Sequence, residues 1–290
     1  MTVIEVSGDP GSGYLRAAAG LLPGRRRGRT LPDRELLRRG VPTDRAHLAA
    51  YDRVCGFRLT DTLPATYPHV LAFGLAMRLM SAADFPFPVV GLVHIANRIT
   101  VLEPIDAAAR LDLSVRADGL RDHDRGRQFD VVATATIDGE PVWRGISTYL
   151  RKETDGLRKE TEGGRRDVAD RTPPPATAQW RVPASVGHEY AAVSGDHNPI
   201  HTSRLGARLF GFPRPIAHGM WSTARCLAAL AGRLPARYTV DVAFKAPILL
   251  PSTVSFRAAA RSGSSGAPSG GWEFELSGKR PHLAGQVTPP

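Results

Sequence analysis

Asp196 stands five residues before His201, in a string that begins at Tyr190 and reads Tyr-Ala-Ala-Val-Ser-Gly-Asp-His-Asn-Pro-Ile-His. A carboxylate and an imidazole brought to one point form an acid/base pair. The imidazole gives and takes protons near neutrality, and the carboxylate orients it or carries the second proton. Gly195, Asn198 and Pro199 keep the pair out of a continuous helix and place it on a turn or loop. Further on, His218-Gly219-Met220 opens an apolar run, Met220 to Leu230, that reads as a buried helix. A helix N-terminus offers unpaired N–H groups and partial positive charge, and at Gly219 no side chain keeps a ligand away. An oxyanion can be held there by backbone alone. The plainer reading of the same residues stands beside this one: Gly-Asp-x-Asn-Pro is ordinary turn chemistry, and Asp196 can serve as an Asx-turn or capping residue.

The elements that must position these groups come in two series. In the first, residues 44–54 suit a short helix ended by Gly56, and Val70 to Ala82 is a helix apolar on nearly every face. Four alternating segments follow at 92–102, 109–120, 129–137 and 141–150, with Asp138-Gly139 as a hairpin turn between the last two. The second series has helices at 185–193, 204–209 and 220–230, then strands at 238–244, 253–260, 272–276 and 282–287. Arg261 to Gly271, rich in serine and glycine, reads as a hairpin tip.

The repeat shows in letters as well as order. Tyr51-Asp-Arg-Val-Cys-Gly56 matches Tyr190-Ala-Ala-Val-Ser-Gly195, and His94-Ile-Ala-Asn-Arg98 matches Asp241-Val-Ala-Phe-Lys245. The first alignment puts Phe57 opposite Asp196 and Thr62 opposite His201, with Leu71 to Phe73 near the place of His-Gly-Met. The first copy therefore lacks the pair, and one site per chain is expected. Asp61 could supply a shifted carboxylate, but no imidazole follows it at the right distance. His69, beside the buried helix, reads as structural. The divisions expected are an irregular leader over 1–40, a degenerate first unit over 41–151, a linker over 152–179 and a catalytic unit over 180–290.

Composition bounds the rest. A 290-residue chain with 42% hydrophobic and 23% charged residues is a soluble globular protein. No apolar run approaches membrane-spanning length, and no signal peptide opens the chain. A weakly amphipathic piece, Tyr14 to Leu22, allows a membrane-surface role or a loose leader. Two cysteines are too few for a disulfide framework, and a reducing cytoplasm is expected. The net charge of +10 suits coenzyme A phosphates or an acidic carrier protein. Without a zinc-finger, P-loop or aromatic RNA-binding motif, nucleic acid is not expected as a partner.

Ser-Gly-Asp-x-Asn-Pro-Ile-His followed by Gly-Phe-x-x-Pro-Ile-Ala-His-Gly-Met resembles the signature of the MaoC-like, or R-specific enoyl-thioester hydratase/dehydratase, family. The overall layout is similar to its mycobacterial-type (3R)-hydroxyacyl-thioester dehydratases. The resemblance implies an α+β, tandem "double" hotdog fold, each unit a long buried helix wrapped by an antiparallel sheet. It implies reversible dehydration of a (3R)-3-hydroxyacyl thioester to a trans-2-enoyl thioester in fatty-acid metabolism, with chain elongation the favoured pathway. Of the pair, His201 is the better base for the α-proton and Asp196 would hold and protonate the departing 3-hydroxyl, while the sequence leaves open which of the two moves which proton. The Gly219 N–H would hold the thioester oxygen, and Asn198 would support the loop. Phe73, Met77, Phe87, Ile216 and His218 are the candidate substrate-binding residues, the first three for a long acyl chain. No metal or redox cofactor is implied, since coenzyme A or phosphopantetheine arrives with the substrate. A serine that the family often carries two turns into the helix is replaced here by Leu227, with Cys226 beside it and Ser222 a turn earlier. Monomer and homodimer are both compatible with two hotdogs in one chain. A hotdog acyl-thioesterase and a non-catalytic thioester-binding subunit are the alternatives.

Overall fold

The computed structural model describes residues 1–8, 28–152, 176–262 and 268–290. The central part of the leader, most of the linker, the Tyr14 to Leu22 piece and residues 263–267 of the serine-glycine loop lie outside them.

Eleven strands form one sheet. In the first half these are β1 (Thr2–Glu5), β2 (Arg34–Val41), β3 (Leu92–Val101), β4 (Leu111–His123), β5 (Gly126–Ile137) and β6 (Glu140–Lys152). In the second half they are β7 (Ala178–Val182), β8 (Tyr238–Phe244), β9 (Ser252–Ser262), β10 (Pro268–Ser277) and β11 (Pro281–Thr288). The order across the sheet is β1-β2-β4-β5-β6-β3-β8-β11-β10-β9-β7. Apart from the parallel β1–β2 pair at one edge, the pairing is antiparallel. Beyond β1, the order β2-β4-β5-β6-β3 is mirrored by β7-β9-β10-β11-β8, so the two series are two copies of one unit joined at β3 and β8. The letter alignment sets Ala96 against Ala243, and these two residues are partners in the β3–β8 register. The axis relating the halves passes there. On the outer face beside it, Arg98 Nε donates to Asp241 Oδ1 at 2.5 Å.

Each half wraps a helix. In the first, α1 (Arg45–Cys55) is followed by α2 (Tyr67–Met80). Asp44 caps α1 through the Ala46 and His47 N–H groups, and Gly56, at φ 78, closes it in the left-handed conformation. Leu75 and Leu79 of α2 are wholly buried, as an all-round apolar helix requires. In the second, α3 (Val186–Ser194), α4 (Pro199–Thr202) and α5 (Arg204–Leu209) precede α6 (Gly219–Leu230), which buries Ala224, Leu227 and Leu230. Hence two long buried helices pack against one predominantly antiparallel sheet, the expected double hotdog. The halves also meet through helices: Trp221 Nε1 donates to the Val54 carbonyl at 3.0 Å, and the Tyr51 and Tyr190 rings lie 6.2 Å apart.

Three expectations need correction. The leader is not irregular at its ends, because Thr2–Glu5 and Arg34–Val41 are strands. The charges of Arg34, Glu35, Arg38 and Arg39 mask a strand that buries Leu36 and Val41. The far end of the supposed linker, Ala178–Val182, is edge strand β7, where Trp180 stacks on Phe256 at 4.8 Å. Finally, the counterpart of the Gly219 helix start is Thr66-Tyr67, not Leu71 to Phe73, because α2 begins a turn earlier than its apolar run. The turn at Asp138-Gly139 is as expected, with both residues at positive φ.

Candidate active site

The loop that carries the acid/base pair is built by its own turn residues. Gly195, at φ 72, ends α3. Ser194 Oγ accepts from the Asp196 N–H at 3.2 Å, Asp196 Oδ1 accepts from the Asn198 N–H at 3.2 Å, and Asn198 Oδ1 caps α4 through the Ile200 N–H at 3.3 Å. Pro199, with no N–H to lose, occupies the first position of α4. The turn chemistry and the placement of the pair are thus one device. His201 sits on α4 instead of in open loop, and it is buried.

Two backbone carbonyls set the histidine tautomers. His201 Nδ1 donates to the Ile216 carbonyl at 2.7 Å, which leaves Nε2 as a basic nitrogen. His218 Nε2 donates to the Asp196 carbonyl at 3.0 Å and lies 3.9 Å from Asp196 Oδ2. His218 therefore ties the Asp196 loop to the start of α6. The two imidazoles stack with centroids 3.6 Å apart. Burial lowers the pKa of both, for His218 to about 3, where the neighbouring His201 adds to the effect and Asp196 opposes it. Both rings are held neutral, and a neutral His201 is the form a general base needs.

Gly219 is the first residue of α6, so its N–H has no intrahelical acceptor. A Cβ on Gly219 would fall 2.9 Å from the Phe244 ring. The space left by the missing side chain is therefore filled by Phe244, and glycine is needed for this packing. The hydroxyls of Ser222 and Thr223 are turned to their own helix, donating to the carbonyls of His218 and Gly219 at 3.2 Å each.

The first half reaches the same point. A Cβ on Gly195 would lie 3.7 Å from the Phe73 ring of α2, which places Phe73 against the Asp196 loop. His69, one turn earlier on α2, and His94 and Tyr149, from β3 and β6, lie within electrostatic reach of Asp196. Burial lowers His69 to about 4 and His94 to about 3. His94 stacks on Tyr149 at 4.8 Å and meets Phe244 edge-on at 5.0 Å. Tyr149 leads on to Phe129 at 5.8 Å, and Phe129 to Phe87 at 5.5 Å. Phe87 is thus the far end of an aromatic series that begins beside Gly219. Met77 is 2% exposed and packs in the core of the first half. The observed contact of Ile216 with the site is through its carbonyl to His201.

Reading the sequence for a pair missed His94 and Tyr149 and left His69 as structural. The signal for His94 was present, since it opens the strand matched to β8. The counterparts of the pair carry no such chemistry: Phe57 stacks on Tyr51 at 6.3 Å, and Thr62 is exposed and bridges to Asp106. Asp61 is exposed and pairs with Arg45 at 2.5 Å.

Asp196, His201 and His218 each offer a ligand atom within 4.8 Å of the other two, a spacing that could also hold a metal ion. Two of the four imidazole nitrogens are already committed to carbonyls.

Comparison with known proteins agrees with this picture. The MaoC-like domain family model matches residues 171–267. The chain is 38% identical over 276 residues to 3-hydroxyacyl-thioester dehydratase X of Mycobacterium tuberculosis, covering 94% of this chain and 95% of that protein. The crystal structure of HtdX of the same organism superposes with a TM-score of 0.76 at 35% identity, over 89% of this chain and 100% of that one. A conserved hypothetical protein of M. tuberculosis, described as having a double hotdog fold, is similar in fold, with a TM-score of 0.52 at 12% identity over 85% of this chain and 92% of that one. With its signature loop in the second half and its fold continuous over both, the chain belongs to the MaoC-like family of 3-hydroxyacyl-thioester dehydratases.

Proposed function

We propose that this protein catalyses the reversible dehydration of (3R)-3-hydroxyacyl thioesters to trans-2-enoyl thioesters, at one site in its second half. The observation that carries the reading is the His201 tautomer. With Nδ1–H given to Ile216, the neutral Nε2 is available next to the Asp196 loop. The α-proton beside a thioester is only weakly acidic, so its removal needs both a base and stabilised charge on the carbonyl oxygen. His201 Nε2 accepts that proton, and the Gly219 N–H receives the oxygen on which charge gathers. Asp196 delivers a proton to the 3-hydroxyl, which leaves as water. The proton then returns from His201 to Asp196. In the reverse direction the pair activates one water. Asn198 supports the loop through its cap on α4, and His218 keeps Asp196 and Gly219 in register.

The elimination breaks the Cα–H and Cβ–O bonds and forms the double bond with no net change of oxidation state, so proton transfers by Asp196 and His201 suffice to drive it and the reading requires neither metal nor redox cofactor. Coenzyme A or phosphopantetheine enters as part of the substrate. An acyl carrier protein is included among the proposed partners on the basic balance of the chain and on a surface just beyond His201. There Arg204, Leu205, Arg208, Leu209 and Arg214 are exposed. Phe73, against Gly195, is the residue of the first half best placed to touch an acyl chain, with Phe87 further along. Met77 acts behind them. Fatty-acid chain elongation in the cytoplasm is the setting proposed. The two buried free cysteines are in keeping with a reducing compartment, and no described helix is long and apolar enough to cross a membrane. One chain holds both hotdogs, so a monomer suffices.

The test is hydration of trans-2-enoyl-CoA esters of several chain lengths, followed by loss of the conjugated ultraviolet absorbance. An R-configured 3-hydroxyacyl product is expected. Release of free thiol without hydration would replace this reading with a thioesterase.

A further inference from the structure

The duplicated half contributes more to the site than apolar packing. His94 Nε2 is buried and has no hydrogen-bond partner among the described residues. The ring itself is fixed. Tyr149 stacks on it at 4.8 Å, and Phe244 meets it edge-on at 5.0 Å on the side that packs against Gly219. A shift of strand register between His94 and Ala96 lets the Ala96 backbone bond the ring. That bond favours the protonated ring, the sign of a carbonyl accepting from Nδ1–H. Nε2 of the neutral imidazole is then an acceptor with its lone pair unmet. A buried acceptor without a donor costs free energy, and such a group is retained where a ligand supplies the donor. The His69 ring, with its centroid 6.4 Å away, makes no hydrogen bond to this nitrogen.

We infer that His94 Nε2, from the first half, accepts a hydrogen bond from a neutral N–H or O–H donor of the bound acyl thioester, and so positions the substrate against the Asp196 loop and Gly219 of the second half. Two donors on such a substrate share this chemistry: an amide N–H of the thiol arm and the 3-hydroxyl. The inference rests on the proposed dehydratase reading.

The test compares the full-length wild type with His94→Phe, which keeps a ring between Tyr149 and Phe244, and His94→Gln, which keeps an acceptor. The substrates are trans-2-butenoyl thioesters of coenzyme A, of N-acetylcysteamine and of 2-methoxyethanethiol, which has no donor, together with the matching 3-hydroxybutanoyl thioesters. If the donor is the amide, His94→Phe raises KM about tenfold for the first two thiols and leaves the third unchanged. If it is the 3-hydroxyl, kcat falls about tenfold with all three. In either case His94→Gln recovers part of the loss. Wild-type kinetics in His94→Phe with every substrate, or equal losses in both variants with a matching fall in thermal midpoint, would overturn the inference. A second measurement does not depend on turnover. In wild-type protein with 15N-labelled histidine, butanoyl-CoA, which carries the amides, and 3-hydroxybutanoyl-CoA, which adds the hydroxyl, are titrated separately. The His94 Nε2 resonance shifts with at least one of them. No shift with either, at saturation, also overturns the contact. Failure of the dehydratase reading is recognised separately, as absence of hydration by the wild type.

Discussion

The loop after α1 and the loop after α3 begin alike and end differently. Both follow a helix closed by a left-handed glycine, Gly56 and Gly195. After Gly195 come Asp196, an Asn198 cap and a helical turn bearing His201. After Gly56 come Phe57, packed on Tyr51, and an exposed stretch to Thr62. The helices that follow differ as well. α6 starts at Gly219, whose N–H has no intrahelical acceptor, whereas at the start of α2 the Tyr67 N–H is taken by the Pro64 carbonyl at 2.8 Å and the next residue, Pro68, has no N–H. On the proposed reading, the first half therefore lacks both the pair and the oxyanion donor. What it kept is a wall of rings, His69, Phe73, His94 and Tyr149, turned to the other half's site. Duplication here left one loop that carries a carboxylate and an imidazole, and two halves whose rings surround it.

The largest expected effect breaks the second half. His201→Ala should cost roughly 10²–10⁴-fold in turnover, the range of a general base, with a melting curve showing that the variant is still folded at the assay temperature. Adding Phe57→Asp and Thr62→His to that variant should restore nothing, because the start of α2 offers no free N–H; recovered hydration would show that the first half lacked only the pair. Next, Gly219→Ala drives a Cβ into the Phe244 ring and shifts the N–H it carries, so kcat should fall about 10²–10³-fold, as for loss of one oxyanion donor. Steady-state kinetics beside the melting curve separates this from unfolding.

A smaller effect concerns stability and pH. His69, His94 and His218 are neutral in the fold, with pKa values lowered to about 4, 3 and 3. In the unfolded chain they protonate near 6.5. Below that value the unfolded state binds more protons, so the stability is fully present above about pH 6.5 and declines as pH falls toward the folded values. Asp52, buried and raised to about 6, acts in the opposite sense, because below pH 6 the folded state takes its proton first. His201, lowered by burial as well, acts with these three, so four groups outweigh one, and the thermal midpoint should drop by several degrees from pH 7.5 to pH 5. An unchanged midpoint would mean that these rings are not held neutral. Smallest of all, Ser222→Ala should stay within a few-fold of wild-type turnover, since that hydroxyl is directed at the His218 carbonyl. A hundredfold loss would reassign it to the substrate.

Much of this was legible in the chain itself. The alternation of β3 to β6 and β8 to β11, the all-round apolarity of α2 and α6, and the repeated Tyr-x-x-Val-x-Gly gave the tandem fold. The signature pointed to Asp196, His201 and Gly219 as candidates, and the Asp196 carboxylate and the His201 ring do lie within 4.8 Å of each other. Strand β2, inside the sheet between β1 and β4, was hidden because Arg34 to Arg39 reads like a basic leader, and edge strand β7 because it directly follows a charged, glycine- and proline-rich stretch. His94 and Tyr149 were hidden for another reason. They lie far from Asp196 in sequence, and only the antiparallel pairing of β3 with both β6 and β8 brings them to Phe244 and the catalytic loop. Spacing along a chain reports chemistry within one loop; it says little about groups delivered by sheet register.

The most direct test of a single site per chain is hydration of trans-2-butenoyl-CoA by Asp196→Asn beside the wild type, with both shown to be folded by their melting curves. One acid/base pair requires a loss of roughly 10²–10⁴-fold, with no residual phase attributable to the first half. A rate within a few-fold of the wild type would contradict the assignment of the chemistry to the Asp196–His201 loop.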